Sequence, residues 1–292
     1  MRALFRVTAW ERASWWRRIL GAVARVAALL VILDVLFSLL GPPVAIFFTA
    51  RSMGHKVPGL WQTPKPLGDY SISDAPGTTL SYSGYQFEVP WNTAFHTRKT
   101  ANSTATGGWV GIWFDSGQSI LFIAPYDQKG LLSEIAGDPS LKIQNARALF
   151  GGLSDASPYD QYSALLNTTP STIRPFGPRA EAARGMMLLM IKAIAPPGNL
   201  QSGVFLFQLP GKRGFQIGDP QKSTGTVALE VLDMQGRYVE IICRGPRNGV
   251  KFTQPELNRI LATLQPVSAD SPVREQATKL QHGLDTKVPA RN

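Results

Sequence analysis

Few side chains in this chain are equipped for acid–base or nucleophilic chemistry. The three histidines, His55, His96 and His282, stand far apart. A metal site draws on several His, Cys, Asp or Glu ligands, and His96 is followed by Arg98 and Lys99, which repel a cation. No metal or cofactor is expected. The single cysteine, Cys243, closes the apolar run Tyr238-Val239-Glu240-Ile241-Ile242-Cys243. That context makes it a buried structural thiol, with no histidine nearby in sequence to activate it. No G-x-S-x-G nucleophile elbow occurs, and Asp115-Ser116-Gly117 reads as a turn.

Carboxylates and basic turns remain. Glu88, Glu230 and Glu240 fall in strand patterns, and Glu88 and Glu240 alternate with apolar neighbours as solvent-face residues do. Two of the three placed side by side on a sheet would form a carboxylate pair able to hold and pass a proton. The sequence leaves open whether any two meet. Gly211-Lys212-Arg213-Gly214 and Gln221-Lys222-Ser223-Thr224-Gly225 are basic, glycine-bearing turns. Neither matches the phosphate-cradling G-x-x-x-x-G-K-[ST] loop. Both read as solvated hairpin tips; the functional alternative is contact with an anionic ligand or lipid headgroup through Lys212, Arg213 and Lys222.

Charge shows where these groups are held. The net charge is +10, and half of it lies in residues 1–51, where seven Arg face Glu11 and Asp34. No concentrated basic face is evident elsewhere, so nucleic acid is not an expected partner. Ile19 to Leu40 is apolar over about the 20 residues that a bilayer core takes. Gly41-Pro42-Pro43 is expected to break that helix, and a kinked span from Val26 to Phe48 is the alternative. The apolar stretch is longer than a signal-peptide core, and Phe47 and Phe48 precede Ala50, so an uncleaved anchor is favoured over a cleaved signal. Arg residues ahead of the span keep the N-terminus inside; Trp10, Trp15 and Trp16 suit the interfacial belt. Arg25 reaches the headgroups by snorkelling. Asp34 lies deeper, where a carboxylate is costly unless protonated or partnered. Its functional reading is contact with a helix of another membrane protein; the plain one is a protonated acid in a tolerant single span.

The organisation expected is a basic, aromatic tail over 1–18, an anchor over 19–48, a proline-bearing linker over 49–68, an extracytoplasmic domain over 69–266 and a polar, unstructured tail over 267–292. Within the domain, Thr79–Tyr82 and Tyr85–Val89 alternate around Ser83-Gly84 as strand, turn and strand. Trp109–Phe114 and Ser119–Ala124 form the next hairpin. Helices are expected over Asp127–Ala136, Asp138–Phe150, Ser157–Leu166 and Arg179–Ala195. Met186-Met187-Leu188-Leu189-Met190-Ile191 is apolar all round and reads as core, with an adaptable methionine groove as the alternative. Strands return at Gly203–Leu209, Phe215–Ile217, Thr226–Leu232 and Arg237–Cys243, and a last helix runs from Pro255 through Leu264. Segregated strands and helices predict an α+β class: an antiparallel sheet with packed helices, preceded by one N-terminal transmembrane helix.

The segment Ser83-Gly84-Tyr85-Gln86-Phe87-Glu88-Val89-Pro90-Trp91 resembles the opening hairpin of PsbP/Mog1-like α/β/α domains. The order of later hairpins and closing helix is similar to that group over roughly residues 70–265. Trp91 directly after Pro90, and the helical stretch after Ala124, depart from it. The resemblance implies a non-enzymatic accessory or binding domain and carries no site residues. The first functional expectation is therefore a membrane-tethered accessory or binding module of a bacterial envelope. An anchored hydrolase-like enzyme whose site assembles only in the fold, and a lipid- or envelope-surface binder, are the alternatives.

Overall fold

The computed structural model describes residues 29–31, 35, 38 and 41–267, without 83, 92–94, 100–108, 124–131, 133–149, 197, 223–224, 235–236 and 246–251. The chain is α+β. Its strands are β1 (Lys65–Pro66), β2 (Thr78–Tyr82), β3 (Tyr85–Val89), β4 (Phe95–Lys99), β5 (Trp109–Phe114), β6 (Ser119–Ile123), β7 (Val204–Leu209), β8 (Lys212–Ile217), β9 (Thr226–Met234), β10 (Arg237–Arg244) and β11 (Gln265–Pro266). Its helices include α1 (Pro158–Asn167), α2 (Arg179–Ile194) and α3 (Gln254–Thr263), with 3-10 turns at Pro58–Trp61 and Gly151–Asp155. Eight strands form one sheet in the order β1-β7-β8-β9-β10-β6-β5-β4, and β11-β3-β2 form a second.

Alternation along the strands makes two cores. On β9 and β10, Val227, Leu229, Val231, Val239, Ile241 and Cys243 point to one side of the large sheet. The β2–β3 hairpin and α3 cover that side through Leu80, Phe87, Leu257, Ile260 and Leu261. Ala228, Leu232 and Ile242 point to the other side, where Tyr162 and Leu166 of α1 close over them. α1 and α3 begin where side chains satisfy exposed N–H groups. Ser157 accepts from the Asp160 N–H with Pro158 next in line, and Thr253 and Glu256 form a reciprocal capping box.

Several expectations need correction. The sheet is not purely antiparallel: β1 runs parallel to β7, because β1 is not delivered by a hairpin. Lys212 and Arg213 are not a turn but the start of β8, and the chain reverses one step earlier, at Gly211 with its φ of +73°. The stretch around His96 is the edge strand β4, paired with β5. The helices expected over Asp127–Ala136 and Asp138–Phe150 lie almost wholly outside the described residues, as do the tail beyond 267 and the anchor residue Asp34. No helix among the described residues is long and apolar enough to cross a membrane.

Part of the chain where the end of the anchor and the linker are expected packs against the domain. Residues 41–56 are helical, and Pro42 and Pro43 fit there because their fixed φ is that of a helix. This lead-in helix and the turn after it bury Ala50 and Leu60 against Ile173, Ala182 and Leu189, with Ile46, Phe47 and Met53 alongside. Lys192 of α2 secures the junction. Its side chain is fully buried and its Nζ donates to the carbonyls of Gln62 at 2.7 Å, Leu166 at 2.7 Å, Thr168 at 2.8 Å and Leu60 at 3.4 Å. Burial draws the ammonium down to about 8, while the carbonyl dipoles favour the charged form. Replacement by Met leaves those carbonyls short of a donor in a dry site. Lys192→Met is expected to cost about 3 kcal/mol in urea unfolding; a loss below about 1 kcal/mol would show that the carbonyls find other donors.

Candidate functional site

The most unusual group of side chains is assembled by the β9–β10 ladder. Glu230 and Glu240 are direct cross-strand partners, so both project to the α1 side of the sheet with Cβ atoms about 5 Å apart. The row continues to Phe215 of β8 beyond Glu230 and to Ile123 of β6 beyond Glu240. Glu230 is 0 % and Glu240 8 % exposed. Glu240 is thus not the solvent-face residue its alternation implies: the face it occupies is roofed by α1. Gly214 lets the strands meet here, since a Cβ on it would strike the Glu230 carbonyl and the Phe207 ring.

Two phenols complete the cluster. Tyr238, two residues before Glu240 and therefore on the same face, donates from Oη to Glu230 Oε2 at 2.6 Å and lies 3.2 Å from Glu240 Oε2. Tyr162 Oη reaches Tyr238 Oη at 3.0 Å from above. A phenol has one proton to give. It cannot donate to both carboxylates at once, so for both contacts to be hydrogen bonds one of the two carboxyls must carry a proton. Burial pushes Glu230 well above the usual carboxylate range, aided by the neighbouring Glu240 charge and opposed by the Tyr238 hydrogen bond. Burial also pushes Glu240 up to about 7, and raises Tyr238 together with the nearby acids. Glu230 Oε1 has no hydrogen-bond partner among the described residues. The arrangement sets two carboxyls around one hydroxyl, with a second hydroxyl behind it.

The remaining carboxylate, Glu88, is elsewhere. It lies on β3, half exposed, and pairs with Arg259 of α3 at 3.0 Å. Arg259 also donates to the carbonyls of Ser73 and Ala75, so this ion pair ties the small sheet to the closing helix.

The basic residues each have partners inside the fold. Lys212 Nζ donates to the carbonyls of Leu261 and Leu264, both at 2.5 Å, and of Ala262 at 3.2 Å, closing the C-terminal end of α3. Burial lowers it to about 8. Arg213 stacks over the Tyr159 ring at 3.7 Å, and Tyr159 in turn stacks on Phe215. Lys222 is 73 % exposed and pairs with Asp219 at 3.4 Å. Cys243 is fully buried and its thiol is pushed up to about 12, which fits a structural role. His96 stacks on Trp113 of β5 at 5.4 Å. No group of three His, Cys, Asp or Glu among the described residues could hold a metal ion.

A shallow groove of about 230 Å³ lies on the same side of the sheet as the acid pair, floored by Trp109, Gly111, Trp113 and Leu121 and flanked by Arg244. Trp109 pairs with Ile123, which pairs with Glu240. One groove residue, Trp109, therefore shares a cross-strand row with the acids, with Ile123 between them. Against known proteins, no family model matches the chain, and neither a curated protein nor a solved structure is significantly similar to it. The likeness to PsbP/Mog1-like domains rests on its residues alone.

The acid pair has a measurable consequence. Between about 4.5 and 7 the folded chain holds a proton on Glu240 that the unfolded chain has released. Its contribution to stability is complete below that window and is lost as pH rises through it, by on the order of 3 kcal/mol. The Glu230→Gln/Glu240→Gln variant is expected to flatten the fall in urea-unfolding free energy between pH 5 and 8. An unchanged slope would mean the pair shares no bound proton.

Proposed function

We propose that the protein is a membrane-tethered accessory or binding module, with its N-terminus cytoplasmic, one span within residues 19–48 and its α+β domain outside the cytoplasm. The observation that carries this reading is the course of the lead-in helix. The apolar run from Ile19 leads into it, and its inner side is buried in the domain through Ala50, with Ile46 and Phe47 alongside. Those residues are committed to the domain, which leaves Ile19 to Leu40 to cross the bilayer, a length that suffices. The arginines ahead of it set the orientation. Asp34 within the span is the contact for a helix of another membrane protein, and the Trp109–Trp113 groove is the surface offered by the domain.

A second reading, an anchored envelope enzyme, is favoured by one observation: Glu230 and Glu240 form a proton-sharing carboxyl pair beside that groove. Its weakness is access, because α1 covers both acids. Chemistry on a substrate would require α1 to move.

The two readings separate in a mild-detergent pull-down of the full chain beside its Asp34→Leu variant. The accessory reading expects a stoichiometric partner that is lost in the variant. The same bare protein from both would sink the role given to Asp34. Protease added to cells with opened outer layers is expected to remove the domain; a protected domain would reverse the orientation.

A further inference from the structure

The contacts along α2 show which end of the domain faces the anchor. Near the end of α2, Lys192 holds the carbonyls of Leu60 and Gln62 on one side and of Leu166 and Thr168 on the other. Further back along the lead-in helix, Gly54 lies against Pro170. Further back along α2, Gly185 lies against Ile173. The chain from Leu166 to Ile173 therefore tracks α2 toward its start while the lead-in helix is followed toward lower numbers. Ile46, Phe47 and Ala50 accordingly share their cluster with Ile173 and Ala182. The helix rises about 14 Å between residue 41 and Ala50, so the start of α2 and the loop ahead of it lie on the anchor side of the domain.

That loop, residues 174–179, has the composition of a membrane interface. Phe176 is 75 % exposed, between the exposed Arg174 and Arg179. Pro175, Gly177 and Pro178 surround it in a turn that folds Gly177 back toward Arg174, and Glu181 is the one acid close by in sequence. An exposed aromatic ring flanked by guanidinium groups is costly in open water but suited to the headgroup layer, where the ring meets acyl chains and the cations meet phosphates.

We infer that the 174–179 loop is a second membrane contact, in which Phe176 enters the headgroup layer of an anionic bilayer and Arg174 and Arg179 pair with lipid phosphates. The inference rests on the tethered reading above. It fixes the domain's orientation: the start of α2 faces the membrane, and the turn after Asp219 faces away. That turn is tied by the Asp219 N–H to Ser202, beside Leu200 and Gln201, which pack on Gly59.

The test uses the full chain reconstituted in vesicles of phosphatidylcholine and phosphatidylglycerol. An environment-sensitive fluorophore is placed on Phe176→Cys, or on Lys222→Cys as the distal control; Cys243 is buried and stays unlabelled. Nitroxide-bearing lipids are then expected to quench the label at 176 roughly threefold more than the label at 222. Adding Arg174→Glu and Arg179→Glu is expected to lower quenching at 176 toward the control. Equal quenching at both positions, in a chain that still resists carbonate extraction, would overturn the contact while leaving the anchor standing. Quenching indifferent to the charge reversals would overturn the role of the arginines. A chain washed out by carbonate would overturn the anchor and the contact together.

Discussion

One ammonium group with no counter-charge among the described residues joins the lead-in segment to the helices of the domain. Lys192 sits where the lead-in segment, the end of α1 and the end of α2 meet, and it binds only main-chain carbonyls. A carboxylate partner would have offered stronger attraction, but it would have brought a second desolvated ion and satisfied none of those carbonyls. The carbonyls are the ones that helix ends and irregular segments leave without partners. A long, flexible cation with several donors can gather them where hydrogen bonding between fixed strands cannot. Lys212 repeats the solution at the end of α3. The two lysines let short helices end against the body of the domain without burying unsatisfied oxygen atoms.

The acid cluster is the opposite case. Glu230 and Glu240 bring like groups together on a face otherwise made of Ala228, Leu232, Ile242 and Phe215. Two apolar residues there would pack without the cost of desolvation. What the acids provide is a site whose proton affinity lies close to neutrality and whose occupancy is felt by Tyr238 and, through it, by α1. A helix seated on a titrating floor is seated less firmly as pH rises.

Much of this fold is legible from local pattern. The hairpins at Thr78–Val89, Trp109–Ile123 and Thr226–Arg244, and helices α1, α2 and α3, lie close to where alternation, turns and capping residues place them. The misses have physical causes. β1 and β11 are two residues long and exist only because β7 and β3 are there to pair with. β4 carries His96, Arg98 and Lys99 and lacks an apolar alternation, so its strand character comes from β5 rather than from itself. The lead-in helix reads as a linker because proline and glycine mark its ends while its buried contacts are far away in sequence. The acid pair stays open in the sequence because a register is not written in either strand alone. Glu240 looks solvent-facing by alternation because α1, which buries that face, is distant in sequence: its Tyr162 precedes Tyr238 by 76 residues.

One modest feature bears on how such a domain behaves in company. The large sheet ends at β1, only Lys65 and Pro66, with Pro64 just before it. An exposed strand edge is a template on which a neighbouring chain can add its own strand. Proline presents no N–H to such a neighbour, and a two-residue strand offers almost no ladder. Molecules confined to a surface meet one another far more often than molecules free in solution. At this edge, copies can be crowded in two dimensions without knitting together.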